Sequence, residues 1–283
     1  MTTSTTNSDM LKYFSALIEK ETGIQYRDTN EHQLNSRLRD LAKFLNFPDV
    51  EALWAEVQKN GLQPAAKSLM LDMATNNETS FFRDQEVFDF FKTHFILKTM
   101  ATNTNKIRIW CAATSTGQEP YSLALIMAEL SRAGTNKYYE ILCSDISERV
   151  LQQASKGLFS QLEIQRGLPA PLMLKYFDQV TSESSSLPSY RAKPELSAHM
   201  TFKRLNLLDP WPNIGTFDII FCRNVLIYQS VENKKQVIAR FTKMLAPGGY
   251  LVLGGAESLL GLSTDYTMEQ HGRACVYKLK GPA

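Results

Sequence analysis

Apolar residues recur at helical spacing at the start of the chain. In MLKYFSALIEKETG, Leu11, Phe14, Leu17 and Ile18 share one face, and Gly23 is placed to stop the helix. The spacing predicts a second helix from Asn30 through Leu45. Pro48 and Asp49 punctuate the chain before VEALWAEVQ, and PAAKSLMLDMAT opens a fourth helix with Pro64 near its start. Strand signals are scarce here, so an all-helical N-terminal domain is expected over residues 10–75, behind a polar tail at 1–9 expected to be disordered.

NNETSFFRD and the amphipathic stretch QEVFDFFKTHFILK then predict a linker and helix over 76–100. Beyond them, strands alternate with helices. KIRIWCA and YYEILCSD read as strands, EPYSLALIMAELSRAG as a helix ending at Gly134, and SERVLQQASKG as a helix capped by Ser147 and stopped by Gly157. Such alternation indicates a parallel sheet wound with helices over residues 101–283. From about 170 to 203 the rhythm breaks around the polar turn TSESSSLPS, which reads as a small inserted antiparallel sheet. The main sheet resumes with FDIIFCRN, a helix from about Glu232 to Leu245, GGYLVLGG and the last strand ACVYKLK.

Composition narrows the class. The 283 residues are 43% hydrophobic, enough for a sizeable core, and 31 basic against 29 acidic residues leave a formal charge of +2. That charge is too small to mark nucleic acid or a membrane surface as the main partner. Cys111, Cys143, Cys222 and Cys275 form no CxxC pair, which predicts buried, reduced thiols. No segment has the length of a signal-peptide core or approaches the roughly 20 apolar residues of a membrane span, so a cytoplasmic protein without membrane insertion is expected. His32, His94, His199 and His271 are scattered without ligand spacing, and no metal site is indicated.

The candidate chemistry centres on RIWCAATSTGQEPYSLAL, residues 108–125. In an open α/β sheet, ligands lie beyond the carboxyl ends of the strands, where this loop falls. Small residues from Ala112 to Gly117 admit a ligand close to the backbone, but a single glycine argues against a cradled pyrophosphate. Glu119 at the mouth of the following helix would repel phosphate and attract a cation. Asp145 ends the second strand, where an acidic side chain reaches ribose hydroxyls. A nucleoside with a positive group and no diphosphate fits both, and S-adenosylmethionine is the candidate. Each residue also has a plainer reading, Glu119 as a favourable first-turn residue and Asp145 as a cap competing with Ser147.

Five stretches, NNETSFFRD, IWCAATSTGQEPYSLAL, CSDIS, FDIIFCRNVLIY and LAPGGYLVLGGAESL, resemble in residues and order the CheR-type chemoreceptor glutamate O-methyltransferases. The resemblance implies an all-α N-terminal domain followed by a Rossmann-like class I methyltransferase domain of α/β class with a small β-subdomain. It implies S-adenosylmethionine as donor, S-adenosylhomocysteine as product, and glutamates on the cytoplasmic helices of methyl-accepting chemoreceptors as acceptors. Residue by residue, it places Arg83 and Tyr228 at the catalytic centre. It assigns Asn77, Thr79, Arg83, Glu119, Asp145, Asn206, Leu207, Arg223 and Asn224 to the cofactor. Read as chemistry, a guanidinium at Arg83 suits a carboxylate fork, Asn206 suits an adenine edge and Leu207 its face.

Without the resemblance, NNETSFFRD reads as a linker capping the next helix, and Tyr228 as a core tyrosine with its hydroxyl at the rim. APGGYLVLGGAES lacks the GK[ST] ending of a P-loop and reads as a structural turn and strand. The family meets receptor helices with basic residues on the second helix, here Arg37, Arg39 and Lys43, although the domain as a whole is not basic and a solvated helix face explains these better. Relatives that capture a receptor C-terminal peptide carry a glycine-rich subdomain turn. TSESSSLPSY has no glycine, so recognition without a tether is expected. Oligomeric state is open, with a monomer favoured. Two alternatives remain, namely a methyltransferase for another acceptor, although no NPPY-like motif follows the fourth strand, and a donor-sensing module without turnover.

Overall fold

The structure, a computed structural model, describes residues 2–26, 31–100, 106–134, 138–181 and 187–281. It divides into two compact units, 1–76 with 228–233, and 77–227 with 234–283.

The first unit holds four helices, α1 (Thr2–Thr22), α2 (Glu31–Phe44), α3 (Val50–Asn60) and α4 (Pro64–Ala74). Their apolar stripes meet in one core in which Phe14, Ile18, Leu38, Leu41 and Met70 are fully buried. A buried side chain of this size stabilises by about 1.5–3 kcal/mol, which outweighs the weak helix propensity of short segments. Gly23, at φ 73°, ends α1 by donating its N–H to the Glu19 carbonyl at 2.7 Å. Asp49 caps α3 by accepting from Ala52 N at 2.8 Å, and Pro64 occupies the first turn of α4, where a missing N–H costs nothing. One expectation fails. Residues 2–9 extend α1 instead of forming a disordered tail. The packed turns from Met10 to Ile18 form the nucleus, and each residue added in front closes one more hydrogen bond.

In the second unit, a helical run comprises α5 (Gln85–Phe90), a π-helical turn (Phe91–Phe95) and α6 (Ile96–Met100). Residues 77–100, expected as linker and helix, group with this unit, and Phe81, Phe88, Phe91 and Phe95 lie in its core. The main elements follow in order: β1 (Lys106–Ala112), α7 (Gln118–Arg132), β2 (Tyr138–Asp145) and α8 (Glu148–Lys156). A side sheet contains β3 (Leu158–Ser160), β4 (Phe177–Val180) and β5 (Ser189–Ala192), with the short helices α9 (Gln161–Gln165) and α10 (Ala170–Tyr176) between β3 and β4, and α11 (Pro194–Ser197) after β5. The chain then returns through β6 (Met200–Arg204), β7 (Phe217–Cys222), α12 (Val231–Met244), β8 (Leu245–Leu253), β9 (Tyr266–His271) and β10 (Ala274–Leu279).

The seven-stranded sheet runs β6-β2-β1-β7-β8-β10-β9. Its first five strands are mutually parallel, and β10 is antiparallel to both neighbours. The order reverses at β1, which has β2 on one side and β7 on the other, so the crevice beyond β1 is the topological switch point. Central strands are apolar on both faces because helices cover both, as for Ile109, Trp110 and Cys111 of β1.

The inserted sheet is β3-β5-β4, antiparallel as expected, but it begins at Leu158 and ends before Met200. MTFKR pairs in parallel with β2 and belongs to the main sheet. As an edge strand it buries little and lacks the apolar run that marks its neighbours. Residues 182–186 of the polar turn lie outside the described residues. Cys111, Cys143 and Cys222 are buried free thiols, as expected, but Cys275 is exposed, because alternation along β10 turns it outward. No helix among the described residues is long and apolar enough to cross a membrane.

Candidate active site

The loop between β1 and α7 is held from below by β2. Ala113 N and Thr114 N both donate to the Ser144 carbonyl at 2.8 Å, and Ser115 N donates to Asp145 Oδ2 at 2.9 Å. The other oxygen, Asp145 Oδ1, accepts from Ser147 N at 3.0 Å, while Ser147 caps α8. Asp145 is 5% exposed. The two plain readings of Asp145 and Ser147 therefore do not compete, since Asp145 fixes the two loops and Ser147 the helix. Beyond the neighbouring β6, Leu205 N donates to the Asp145 carbonyl, which brings Asn206 and Leu207 beside Asp145. Asn206 Oδ1 accepts from Leu208 N, and its carbonyl accepts from Trp211 Nε1. On the other side, the Ser115 hydroxyl donates to the Asn77 carbonyl at 2.8 Å, so the NNETS segment, with half-buried Thr79, joins the same edge.

Backbone strain collects here. Among the described residues, the non-glycine residues with positive φ are Asn46, Phe82, Asp84, Ala113, Ser115 and Asn224, and all but Asn46 border this edge. Each such residue costs on the order of 1–3 kcal/mol, and strain of this kind clusters where function over-determines the backbone. Gly117, at φ 102°, is tied to its place a second way, because a Cβ there would stand 3.0 Å from the Ala154 side chain.

A charge cluster around the buried Arg223 closes the edge between α7 and β7. Arg223, its side chain 3% exposed, binds Glu119 Oε2 at 3.1 Å and the Asp84 carboxylate, and donates to the Arg83 carbonyl at 2.7 Å. Its guanidinium also lies 5.8 Å from the Phe88 ring. Glu119 thus has a structural partner, and burial, followed by the Glu119 charge, pushes the Cys111 thiol well above its ordinary value. With Asp84, Glu119 and Asp145 against Arg223, the edge is net negative. Arg83 turns away from this cluster and donates to the Glu78 carbonyl at 2.9 Å. The Glu78 carboxylate pairs with Arg166, whose hydrogen bond and charge, with that of Arg83, hold it below the usual carboxylate range. Gly167 presses against this segment, since a Cβ there would collide with the Phe81 carbonyl.

Past β7 the backbone is gathered by one residue that the sequence reading left in a structural turn. Glu257 Oε2 accepts from Asn224 N and Gly254 N, and Oε1 from Val225 N and Ile227 N, at 2.7–3.1 Å. Tyr228 follows in a short 3-10 turn and groups with the first unit, where its hydroxyl meets Asn76 Nδ2 at 3.0 Å and its carbonyl accepts from Gln25 N. Nine of the ten candidate residues (Asn77, Thr79, Arg83, Glu119, Asp145, Asn206, Leu207, Arg223 and Asn224) thus belong to the second unit, and Tyr228 to the first. Asp84, Glu257 and Arg166 escaped sequence reasoning. The first two lie inside quoted motifs, but their partners are distant in sequence and no spacing rule points to them.

A glycine-poor loop, an acidic residue ending the second strand and a net negative rim at the switch point suit a cationic nucleoside. Two family models match the chain, the all-alpha domain of the CheR methyltransferases over residues 9–75 and their SAM binding domain over 77–275. The chain belongs to the CheR methyltransferase family. It is 34% identical over 283 residues to a chemotaxis protein methyltransferase of Pseudomonas putida, covering 98% of this chain and all of that one. A chemotaxis protein methyltransferase of Pseudomonas aeruginosa is 33% identical over the same coverage, and one of Vibrio parahaemolyticus 34% identical over 99% of this chain and all of that one. The second unit of this CheR methyltransferase is accordingly a class I S-adenosylmethionine-binding domain, and the protein is an S-adenosylmethionine-dependent methyltransferase of chemotaxis.

Proposed function

We propose that this CheR protein transfers methyl groups from S-adenosylmethionine to glutamate side chains on the cytoplasmic helices of chemoreceptors, forming glutamate methyl esters and adjusting sensory adaptation. The reading is supported chiefly by the strained, net negative edge around Asp145 and Glu119, which favours a sulfonium over a phosphate. When bound, the donor supplies an electrophilic methyl group. Asp145 would hold its ribose hydroxyls, the Ala112–Gly117 loop its methionine end, and Asn206 and Leu207 its adenine. Asn77, Thr79, Arg223 and Asn224 would lie along the same donor.

A receptor glutamate, with an ordinary pKa near ~4.3, is already ionised at neutral pH and needs no general base. The protein's task is alignment and exclusion of water. Arg83 would leave its Glu78 carbonyl to orient the incoming carboxylate, and Tyr228 would contact its oxygen or the donor. Too tight an ion pair would blunt the nucleophile, which is consistent with Arg83 having another partner to return to. Arg37, Arg39 and Lys43 on α2 suit acidic receptor helices. The glycine-free TSESSSLPSY favours recognition without a receptor tether, by a cytoplasmic enzyme.

The test is a filter assay for transfer of labelled methyl to membranes carrying the host's receptors, followed by mild base. The expected result is base-labile label, the mark of a carboxyl ester. Base-stable label, or no transfer despite donor binding, would overturn the reading.

A further inference from the structure

At the far edge of the main sheet, folding brings together groups that chain spacing kept apart. His94, Glu269 and His271 offer ligand atoms all within 4.8 Å of one another. The imidazoles of His94 and His271 lie 4.2 Å apart, centroid to centroid. His94 sits in the π-helical turn Phe91–Phe95, and turns of this kind recur at functional positions. Glu269 and His271 are two apart on β9, so they project from one face, and the hairpin turn at Gly272 returns the chain into β10.

We propose that His94, Glu269 and His271 form a binding site for a divalent transition metal of the zinc class, which clips the π turn to the β9–β10 hairpin. Two imidazoles and a carboxylate are a ligand set that suits such ions and leaves room for water. His271 Nε2 is shut off from solvent and makes no hydrogen bond among the described residues, while Glu269 Oε2 stands 3.5 Å from it. A buried polar nitrogen without a partner carries a desolvation cost that a bound ion would remove. Tetrahedral zinc implies a ligand–ligand spacing of about 3.3 Å, so the ligand atoms would close by at most about 1.5 Å on binding.

Outer contacts are in place. The Tyr250 hydroxyl donates to Glu269 Oε2 at 3.1 Å and so orients the carboxylate. Lys278 Nζ, 4.0 Å from Glu269 Oε1, and Lys98, bonded to the Tyr250 hydroxyl, oppose a cation. Both are long side chains with access to solvent, so their ammonium groups can swing outward. The three ligands are half-buried, which leaves an ion a way in.

The test uses untagged full-length protein with zinc chloride as the probe, at neutral pH in a non-chelating buffer. Imidazole nitrogen NMR reads all four histidines at once and needs no variant. The expected result is one zinc per chain with shifts at His94 and His271 and none at His32 or His199. His94→Ala and Glu269→Gln should each weaken calorimetric zinc binding about tenfold or more, and zinc should raise the melting temperature of the wild type only. Absence of binding, or shifts confined to His32 or His199, would overturn the proposal, as would zinc affinity unchanged in His94→Ala.

Discussion

Among the described residues of the helical unit, one non-glycine residue, Asn46, has a positive φ; in the α/β unit there are five, all at the carboxyl edge of the sheet. The helical unit is held by apolar stripes and local caps such as Asp49. The α/β unit has an apolar core too, but its edge is tied by charged side chains that reach far along the chain, the buried Arg223 to Asp84 and Glu119, and Glu257 to the backbone after β7. Where burial alone decides, the backbone relaxes; where many contacts over-determine it, strain and a buried charge are tolerated.

Removing Arg223 should have the largest effect on stability. Arg223→Met leaves the largely buried Glu119 without its cation and is expected to destabilise the α/β unit by about 3–5 kcal/mol, read by chemical denaturation, while the more exposed Asp84 adds little. Leu38→Ala, in the helical unit, should cost about 3 kcal/mol by opening a cavity, yet leave donor affinity unchanged in calorimetry. A loss of donor binding in that variant would break the separation between the units. Arg83→Ala should lower methyl transfer about 100-fold with little change in donor affinity, because positioning errors act on the rate. Glu257→Gln removes charge from a carboxylate that gathers four backbone N–H groups. Turnover should fall about tenfold, more than donor affinity does, as expected when a reactive loop loses its registration.

The smallest effect is a pH dependence. Glu78 is held below its ordinary pKa by Arg166, so its contribution is present above the unfolded carboxylate value and lost as pH falls through the lowered folded value. The pair is exposed, so Arg166→Ala should remove no more than about 0.5 kcal/mol of acid-sensitive stability.

The helices of the first unit were legible because burial has a period and their caps are local, as Asp49 and Gly23 illustrate. The polar start was misread, since helix propagation from a packed nucleus leaves no compositional trace. In the second unit the central strands were legible as apolar runs. The edge strands β6 and β9 were not, because MTFKR and YTMEQH bury too little to stand out. The place of Asp145 and of the Ala112–Gly117 loop at the carboxyl edge of the sheet was legible, because both follow strands. Asp84 and Glu257 could not, since their meaning lies in Arg223 and in the backbone of residues 224–227, to which no sequence rule connects them. His94 and His271 are the same case, adjacent only after folding.

Asp145 is proposed to hold the methyl donor at the strained edge of the sheet. Calorimetric titration of S-adenosylhomocysteine into the wild-type chain and into Asp145→Ala tests it most directly. One site per chain is expected in the wild type, with affinity weakened about 100-fold in the variant, equivalent to losing roughly 3 kcal/mol of hydrogen bonding to a charged group. Equal affinity in the two proteins would contradict it.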